Sequence, residues 1–226
     1  MNIFNFPPNV SQEDIEKNEP SGHAGSPRIH FLLDDLQSPI NIGKCARVAE
    51  IFGIDLYIHD PRLLAGNPDK VQTMSDFACG AWERRTNHIL NDGRDFVGNY
   101  KKGRIIATCL DEDAVRLHDF EFAENDLVIF GNEYDGVSPD FIEKADAKIF
   151  IPMPKLYLPK PCSRRPIDPS RNAAVNQNGT PNLNVAVAAG IVAYEFSRWL
   201  DRNGYLSQDW QDAHAAECPK TANTSR

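Results

Sequence analysis

The chain has 226 residues, 41% of them hydrophobic, which predicts one sizeable core and so one domain with appendages. Its formal net charge of −8 argues against a protein that coats nucleic acid through bulk attraction. No apolar run approaches the roughly 20 residues of a membrane span and the N-terminus lacks the features of a secretory signal, so we expect a cytoplasmic protein without a membrane partner.

The first half of the chain alternates polar connections with apolar runs. Residues 1–28 are polar and proline-rich and predict a flexible N-terminal extension. Residues 29–36 predict a first strand, residues 38–53 a loop and then a helix that ends at a glycine, and residues 54–60 a second strand. Between residues 71 and 90, helix formers mix with the small-residue patch ACGAW, and the element bounds stay open.

The second half continues the alternation. Residues 96–102 predict a short helix, residues 104–110 a strand, and the apolar runs 127–130 and 148–153 two buried strands. Residues 182–200 form the clearest helix, whose apolar and small side chains on most sides indicate burial, and a polar tail follows over 203–226. Strands that alternate with helices predict an α/β fold with a mostly parallel sheet and flanking helices.

The turn after residues 127–130 is the first candidate ligand site. Gly131 and Gly136 permit close backbone approach or positive φ, while Asn132, Glu133 and Asp135 supply hydrogen-bonding groups just past a strand's carboxyl end. Ligands of α/β proteins usually lie at that edge. The same residues would also suit an ordinary strand-to-helix connection, with Ser138 capping a helix that begins after it.

One basic segment stands out in this acidic chain. Residues 155–181 contain a single acidic residue, Asp168, and five basic residues: Lys155, Lys160, Arg164, Arg165 and Arg171. The segment could contact phosphates, or it could be a solvated loop whose arginines pair with acidic neighbours.

Several common motifs are absent. The sequence has no GxxxxGK[ST] phosphate loop, no GxGxxG fingerprint and no GxSxG elbow. Its five cysteines include no CxxC pair, which predicts neither a disulfide framework nor a zinc site and favours buried or inert thiols. The histidines at 59, 88 and 118 stand apart from any metal-binding spacing, so we expect no metal.

Three separated blocks carry a family resemblance. They are NIGKCARVAEIFG (41–53), VIFGNEYDGVS (128–138) with IPM (151–153), and NLNVAVAAGIVAYE (182–195). Together they resemble the three motifs of the SpoU, or TrmH, family of RNA ribose 2′-O-methyltransferases in the SPOUT superfamily, over roughly residues 29–202. The resemblance implies a C-terminal trefoil knot, S-adenosylmethionine as cofactor, a tRNA or rRNA substrate and a homodimer.

The resemblance also implies roles for individual residues. Arg47 matches the arginine that would engage the target's phosphate and activate its 2′-hydroxyl, and the other polar motif positions are Asn41, Glu133 and Asn184. Because the sulfonium already activates its methyl group, the protein mainly has to align the ribose oxygen and assist loss of its proton. Cofactor contacts are implied for Thr108, Gly131, Asn132, Gly136, Ile151, Pro152, Met153 and Leu183.

Two of these residues have simpler explanations, and the chain departs from the family pattern at three points. Arg47 could form a salt bridge on a helix surface, and Glu133 could cap its turn. Asn182 stands where the third motif usually has serine, the 155–181 loop is unusually long, and we find no room for a separate N-terminal RNA-binding domain.

Three functions therefore remain open from the sequence. The resemblance favours a methyltransferase acting on a ribose 2′-hydroxyl. A non-catalytic RNA- or protein-binding module with the same fold is the alternative, and methylation of a base nitrogen is a third possibility.

Overall fold

The computed structural model describes residues 26–132, 134–153 and 183–206. The strands are β1 (Ile29–Asp34), β2 (Asp55–His59), β3 (Asn87–Leu90), β4 (Ile105–Thr108), β5 (Val115–Arg116), β6 (Asp126–Phe130) and β7 (Ala147–Phe150). The helices are α1 (Pro39–Ile51), α2 (Pro68–Ala78), α3 (Ala81–Arg84), α4 (Gly93–Asn99), α5 (Pro139–Glu143) and α6 (Val185–Arg202). Short 3₁₀ turns span Leu64–Gly66 and Leu117–Asp119.

The strands form one sheet in the order β3-β2-β1-β6-β4-β7-β5, and each neighbouring pair is parallel. This confirms the predicted α/β fold with a parallel sheet. In such a sheet all carboxyl strand ends meet at one edge, where ligands usually bind. The predicted knot depends on the path of residues 154–182, which lie outside the described residues.

The two central strands are covered on both faces. Every residue of β1 and β6 is buried, as their continuous apolar runs predict. One face packs against α1, α2 and α6, and the other against α4 and α5. The rings of Phe31 and Phe130 meet edge to face across the first of these layers, with centroids 4.8 Å apart. The core thereby fixes the carboxyl ends of β1 and β6 side by side.

Helix α1 begins at Pro39, so almost no loop precedes it within the predicted range 38–53. Ser38 is its N-cap and accepts a hydrogen bond from the backbone N–H of Asn41, while Pro39 occupies the first turn. The helical spacing of the sequence predicts that positions 42, 45, 46, 49 and 52 face the sheet; the first four are buried and Phe52 is partly buried against the core. A Cβ on Gly43 would lie 2.2 Å from the carbonyl oxygen of Met74, so the glycine allows α2 to cross α1 closely.

Several element bounds differ from expectation. The predicted helix at 96–102 begins earlier, because Asp92 accepts hydrogen bonds from the backbone N–H groups of Arg94 and Asp95. The predicted strand at 148–153 ends at Phe150, so the IPM block lies beyond the sheet edge. Strands β3 and β5 were not predicted. The 155–181 loop, residues 1–25 of the N-terminal extension and the tail from 207 lie outside the described residues.

Across the described ranges, no helix is both long and apolar enough to cross a lipid bilayer.

Candidate functional site

A cavity of about 410 Å³, the ligand cavity, lies at the carboxyl edge of β4, β6 and β7. Its wall includes seven of the eight residues for which the resemblance implies cofactor contacts: Thr108, Gly131, Asn132, Gly136, Ile151, Met153 and Leu183. Pro152 is not part of the wall and is exposed to solvent. Residues more than seventy positions apart in the chain thus share one cavity.

The turn after β6 forms one side of the ligand cavity through close backbone packing. A Cβ on Gly131 would lie 1.9 Å from the carbonyl carbon of Gly136, so only glycine fits there. Gly136 itself has a φ of +73°, which favours glycine. The side-chain oxygen of Asn132 accepts hydrogen bonds from the backbone N–H groups of Tyr134 and Asp135, both at 2.9 Å. Glu133 lies outside the described residues.

Asn132 and Thr108 therefore use polar groups to shape the ligand cavity. The Thr108 hydroxyl donates a hydrogen bond to the carbonyl oxygen of Ile129 over 2.9 Å and so ties β4 to β6 beneath the cavity.

The cavity rim includes polar residues that the sequence did not point to. Cys109 and Asp111 line it, and Lys148 donates hydrogen bonds to Asp111 at 2.9 Å and to Asp113 at 3.1 Å. The hydrogen bond from Lys148 lowers the pKa of Asp111, whereas burial raises the pKa of the Cys109 thiol. At neutral pH the rim thus presents an ionised carboxylate beside a neutral thiol.

A second opening of about 390 Å³, the Arg47 groove, lies between α1, α2 and the start of α6. Its wall consists of Lys44, Arg47, Val48, Asp76, Phe77, Cys79, Asn184, Ala186 and Val187. Arg47 is exposed, and its Nη1 donates to the Sγ of Cys79 over 3.1 Å. Among the described residues Arg47 forms no ion pair. Of the thiols expected to be buried or inert, Cys45 is buried and Cys79 is exposed.

Two further catalytic candidates meet at the Arg47 groove. The Nδ2 of Asn184 donates a hydrogen bond to the Oδ1 of the buried Asn41 over 3.1 Å. The Oδ1 of Asn184 accepts the backbone N–H of Ala186, also at 3.1 Å, and so caps α6. The structure therefore brings Asn41, Arg47 and Asn184 together.

The ligand cavity and the Arg47 groove share a short wall at the start of α6. Leu183 and Val185 line the ligand cavity, whereas Asn184 and Ala186 line the groove. Consecutive residues thus alternate between the two openings.

Sequence reasoning also missed Asp34 and His59, which approach the turn from the neighbouring strands. Asp34 is buried, its Oδ1 lies 3.0 Å from His59 Nδ1, and its Oδ2 accepts the backbone N–H of Ser138 at 2.7 Å. Ser138 occupies the N-cap position of α5, but its side chain makes no capping hydrogen bond. A carboxylate that ends a buried strand, at the sheet edge where ligands bind, was the available signal for Asp34.

Within the ranges that the structure describes, no three His, Cys, Asp or Glu side chains are grouped so as to hold a metal ion.

Comparison with known proteins gives consistent matches. The model of the SpoU rRNA Methylase family matches residues 28–157, which is more than half of the chain. A tRNA (guanosine(18)-2′-O)-methyltransferase of Aquifex aeolicus is 30% identical over 105 residues, covering 46% of this chain and 39% of that protein. A 23S rRNA (guanosine-2′-O-)-methyltransferase of Acinetobacter baylyi is 25% identical, covering 74% of this chain and 58% of that protein. The chain thus spans less than two thirds of either relative.

A solved structure supports the fold. The AdoMet-bound rRNA methyltransferase from Sinorhizobium meliloti is similar to this chain with a TM-score of 0.56 at 19% identity. The similarity covers 82% of this chain and 60% of that one.

Proposed function

Because the chain belongs to the SpoU rRNA methylase family, we propose that it transfers the methyl group of S-adenosylmethionine to a ribose 2′-hydroxyl of tRNA or rRNA. The observation that carries the proposal is the arrangement of two openings with one shared wall. One opening is lined by seven of the candidate cofactor residues. The other is lined by Arg47 and Asn184, and Asn184 donates a hydrogen bond to the buried Asn41 behind it. A cytoplasmic location is part of the same proposal.

The ligand cavity suits the proposed cofactor in size and chemistry. Its volume of about 410 Å³ lies in the range of small-molecule sites. Apolar side chains such as Phe130, Ile149 and Leu183 would enclose an adenine ring, and the Gly131 backbone allows close approach. The relative from Sinorhizobium meliloti, whose structure contains AdoMet, supports this choice. When bound, the sulfonium supplies an activated methyl group.

The Arg47 groove suits a phosphate-bearing acceptor. The Arg47 guanidinium is exposed and offers a planar set of donors that matches phosphate geometry, and Lys44 lies in the same wall. The hydrogen bond between Asn184 and Asn41 fixes the orientation of Asn184 in the wall of this groove. Arg47 would orient the substrate and assist loss of the 2′-hydroxyl proton, while alignment of the 2′-oxygen with the methyl group would supply most of the acceleration.

We propose a second copy of the chain as the protein partner. Four large apolar side chains are exposed on the helices that form the Arg47 groove: Ile51 (66%) on α1, Phe77 (41%) on α2, and Val187 (50%) and Tyr194 (58%) on α6. Phe77 and Val187 line the groove itself. Val187 and Tyr194 lie seven residues apart and so on one face of α6. Exposed apolar side chains on one face of a helix favour a protein interface there.

The proposal is tested by binding and by product analysis. Calorimetry should detect S-adenosylmethionine binding to the isolated protein, and incubation with total tRNA and rRNA should yield one 2′-O-methylated nucleoside by mass spectrometry. No binding at millimolar cofactor would favour the non-catalytic module with the same fold. A base-methylated nucleoside would instead show that the protein methylates a ring nitrogen. Total RNA from cells with and without the gene should differ in the same nucleoside.

A further inference from the structure

Asp34 is a buried carboxylate at the centre of the sheet's carboxyl edge. It is the last residue of β1, and only 1% of its surface is exposed. A buried carboxylate is costly unless hydrogen bonds compensate for its lost hydration. The hydrogen bonds that Asp34 makes therefore indicate its structural role.

Each oxygen of Asp34 holds a different part of the molecule. Oδ1 lies 3.0 Å from Nδ1 of His59 at the end of β2, and because a carboxylate only accepts, the imidazole carries its proton on Nδ1. Oδ2 accepts the backbone N–H of Ser138, 104 residues away, over 2.7 Å. That short distance is typical of a charge-assisted hydrogen bond.

Ser138 marks the far end of the turn that walls the ligand cavity. The near end of this turn continues from β6, and the side chain of Asn132 holds its middle from within. The contact with Asp34 fixes the exit, just after Gly136 and Val137, both of which line the cavity. His59 in turn is confined by α4, since a Cβ on Gly93 would lie 2.5 Å from its ring.

We propose that Asp34 is a positioning residue, which holds the 131–138 turn in the shape that binds S-adenosylmethionine, and that His59 orients its carboxylate. The inference rests on the proposed function of the ligand cavity. Asp34 touches no cavity surface itself, so its effect passes through the N–H of Ser138.

The test compares two buried carboxylates at opposite ends of the sheet. Asp126 is fully buried at the amino end of β6, where it pairs with Arg104 and accepts the backbone N–H of Ala123. Asp126→Ala should therefore lower the melting temperature without changing the Kd for S-adenosylmethionine. Asp34→Ala should raise that Kd roughly tenfold or more, because it leaves a buried N–H without an acceptor.

Asp34→Asn supplies the matched rescue. Its amide keeps an oxygen for the Ser138 N–H and can donate to the other tautomer of His59. We expect a Kd for S-adenosylmethionine within about threefold of the wild type. Asp34→Asn removes the negative charge but keeps the acceptor oxygen, so a Kd this close would show that the hydrogen bond, and not the charge, holds the turn. In turnover, Asp34→Ala should raise KM for S-adenosylmethionine and leave KM for RNA unchanged.

The outcomes separate the two proposals. If the wild type binds S-adenosylmethionine and folded Asp34→Ala binds it equally well, the positioning role is wrong and the proposed function stands. If the wild type binds none, the proposed function fails, and the inference fails with it. If Asp34→Ala does not fold, the test uses His59→Leu. Weaker binding of S-adenosylmethionine by His59→Leu, restored in His59→Asn, would support the inference. Unchanged binding by His59→Leu would overturn it.

Discussion

Asn184 donates a hydrogen bond to Asn41 over 3.1 Å, joining residues 143 positions apart. The same Asn184 side chain caps α6 through the N–H of Ala186, so both ends of its amide are engaged. Asn41 lies in the first turns of α1, the helix that carries Arg47. The contact thus fixes the start of α6 against the helix that presents the arginine.

Energetic coupling between Asn41 and Asn184 is the first prediction. In a double-mutant cycle with alanine, the free energies of unfolding should be non-additive by about 0.5–1.5 kcal/mol. Asn203, at the other end of α6, bonds the carbonyl of Trp199 and serves as control. Asn41→Ala and Asn203→Ala should be additive. Urea denaturation measures both cycles, and additivity in the first would show that the contact contributes nothing.

Arg47→Ala should abolish methyl transfer while it leaves cofactor binding intact. We expect a loss of at least about 10²-fold in kcat, since both substrate alignment and proton removal are affected. The Kd for S-adenosylmethionine should stay within about threefold, because Arg47 lines the groove and not the ligand cavity. Arg94 pairs with Asp140 on the surface, so Arg94→Ala is a charge-matched control with normal activity. Normal turnover by Arg47→Ala would refute its role.

Gly131→Ala should distort the turn. The new Cβ would overlap backbone atoms of Gly136 and Val137, which cannot rotate away as a side chain could. We expect a loss of about 1–3 kcal/mol of stability together with weaker S-adenosylmethionine binding. At Gly66 the nearest atom to an added Cβ is 4.0 Å away, so Gly66→Ala should change little. Thermal melts and calorimetry on both variants provide the comparison, and equal behaviour would contradict it.

Stability should fall as the pH drops below about 6.5, the ordinary pKa of histidine. Burial lowers the pKa of His88 in the folded protein. As the pH falls, the unfolded chain therefore binds a proton at a higher pH than the folded protein does, and the free energy of unfolding decreases. One such proton contributes at most about 1.4 kcal/mol per pH unit. The charges of nearby residues also act on the pKa of His88: Asp55 raises it, whereas Arg85 and His30 lower it.

His88→Phe isolates that proton. A phenyl ring can keep the stacking on Tyr57, whose centroid lies 4.8 Å from the imidazole. Urea denaturation at pH 7.5 and pH 5.5 should give a smaller difference in this variant than in the wild type. His118 is half exposed, and His118→Gln should retain the full pH dependence. An unchanged pH dependence in His88→Phe would assign the effect to other groups.

A charge at the border of the Arg47 groove should dissociate the proposed dimer. Tyr194→Glu places a carboxylate on the exposed face of α6, where pairing of two copies would bury it without a partner. Sedimentation should show a dimeric wild type and a monomeric Tyr194→Glu. Leu63 is 74% exposed in the connection after β2, and Leu63→Glu should remain dimeric. A monomeric wild type at tens of micromolar would exclude the homodimer.

Much of the fold could be predicted from the sequence where burial is two-sided. The strands β1 and β6 are continuous apolar runs because helices cover both faces of the sheet. Strand β3 was missed because it begins with two polar residues, Asn87 and His88, of which His88 is buried and stacks on Tyr57. Strand β5 has two exposed residues and exists only through its pairing with β7, which no local pattern encodes.

The candidate site was predictable only in part, for a similar reason. The glycines of the turn after β6 can be recognised from the sequence alone. A side chain at Gly131 would clash with the backbone of Gly136, which explains why this position requires glycine. The contact between Arg47 and Cys79 depends on how α1 and α2 cross, and the one between Asp34 and Ser138 on the neighbouring positions of β1 and β6. Such contacts follow from tertiary geometry. Glu133 lies outside the described residues, so its role stays a prediction.

The alternation of residues 183–186 between the two openings has a thermodynamic consequence. A cofactor that orders Leu183 and Val185 would also order Asn184 and Ala186, since they share one stretch of backbone. Part of the entropy of forming the RNA-facing groove would then already be lost before RNA arrives. Linkage makes the effect reciprocal, so bound RNA would tighten the cofactor by the same factor. Donor and acceptor would bind cooperatively, and the product cofactor would leave more readily once the methylated RNA had gone.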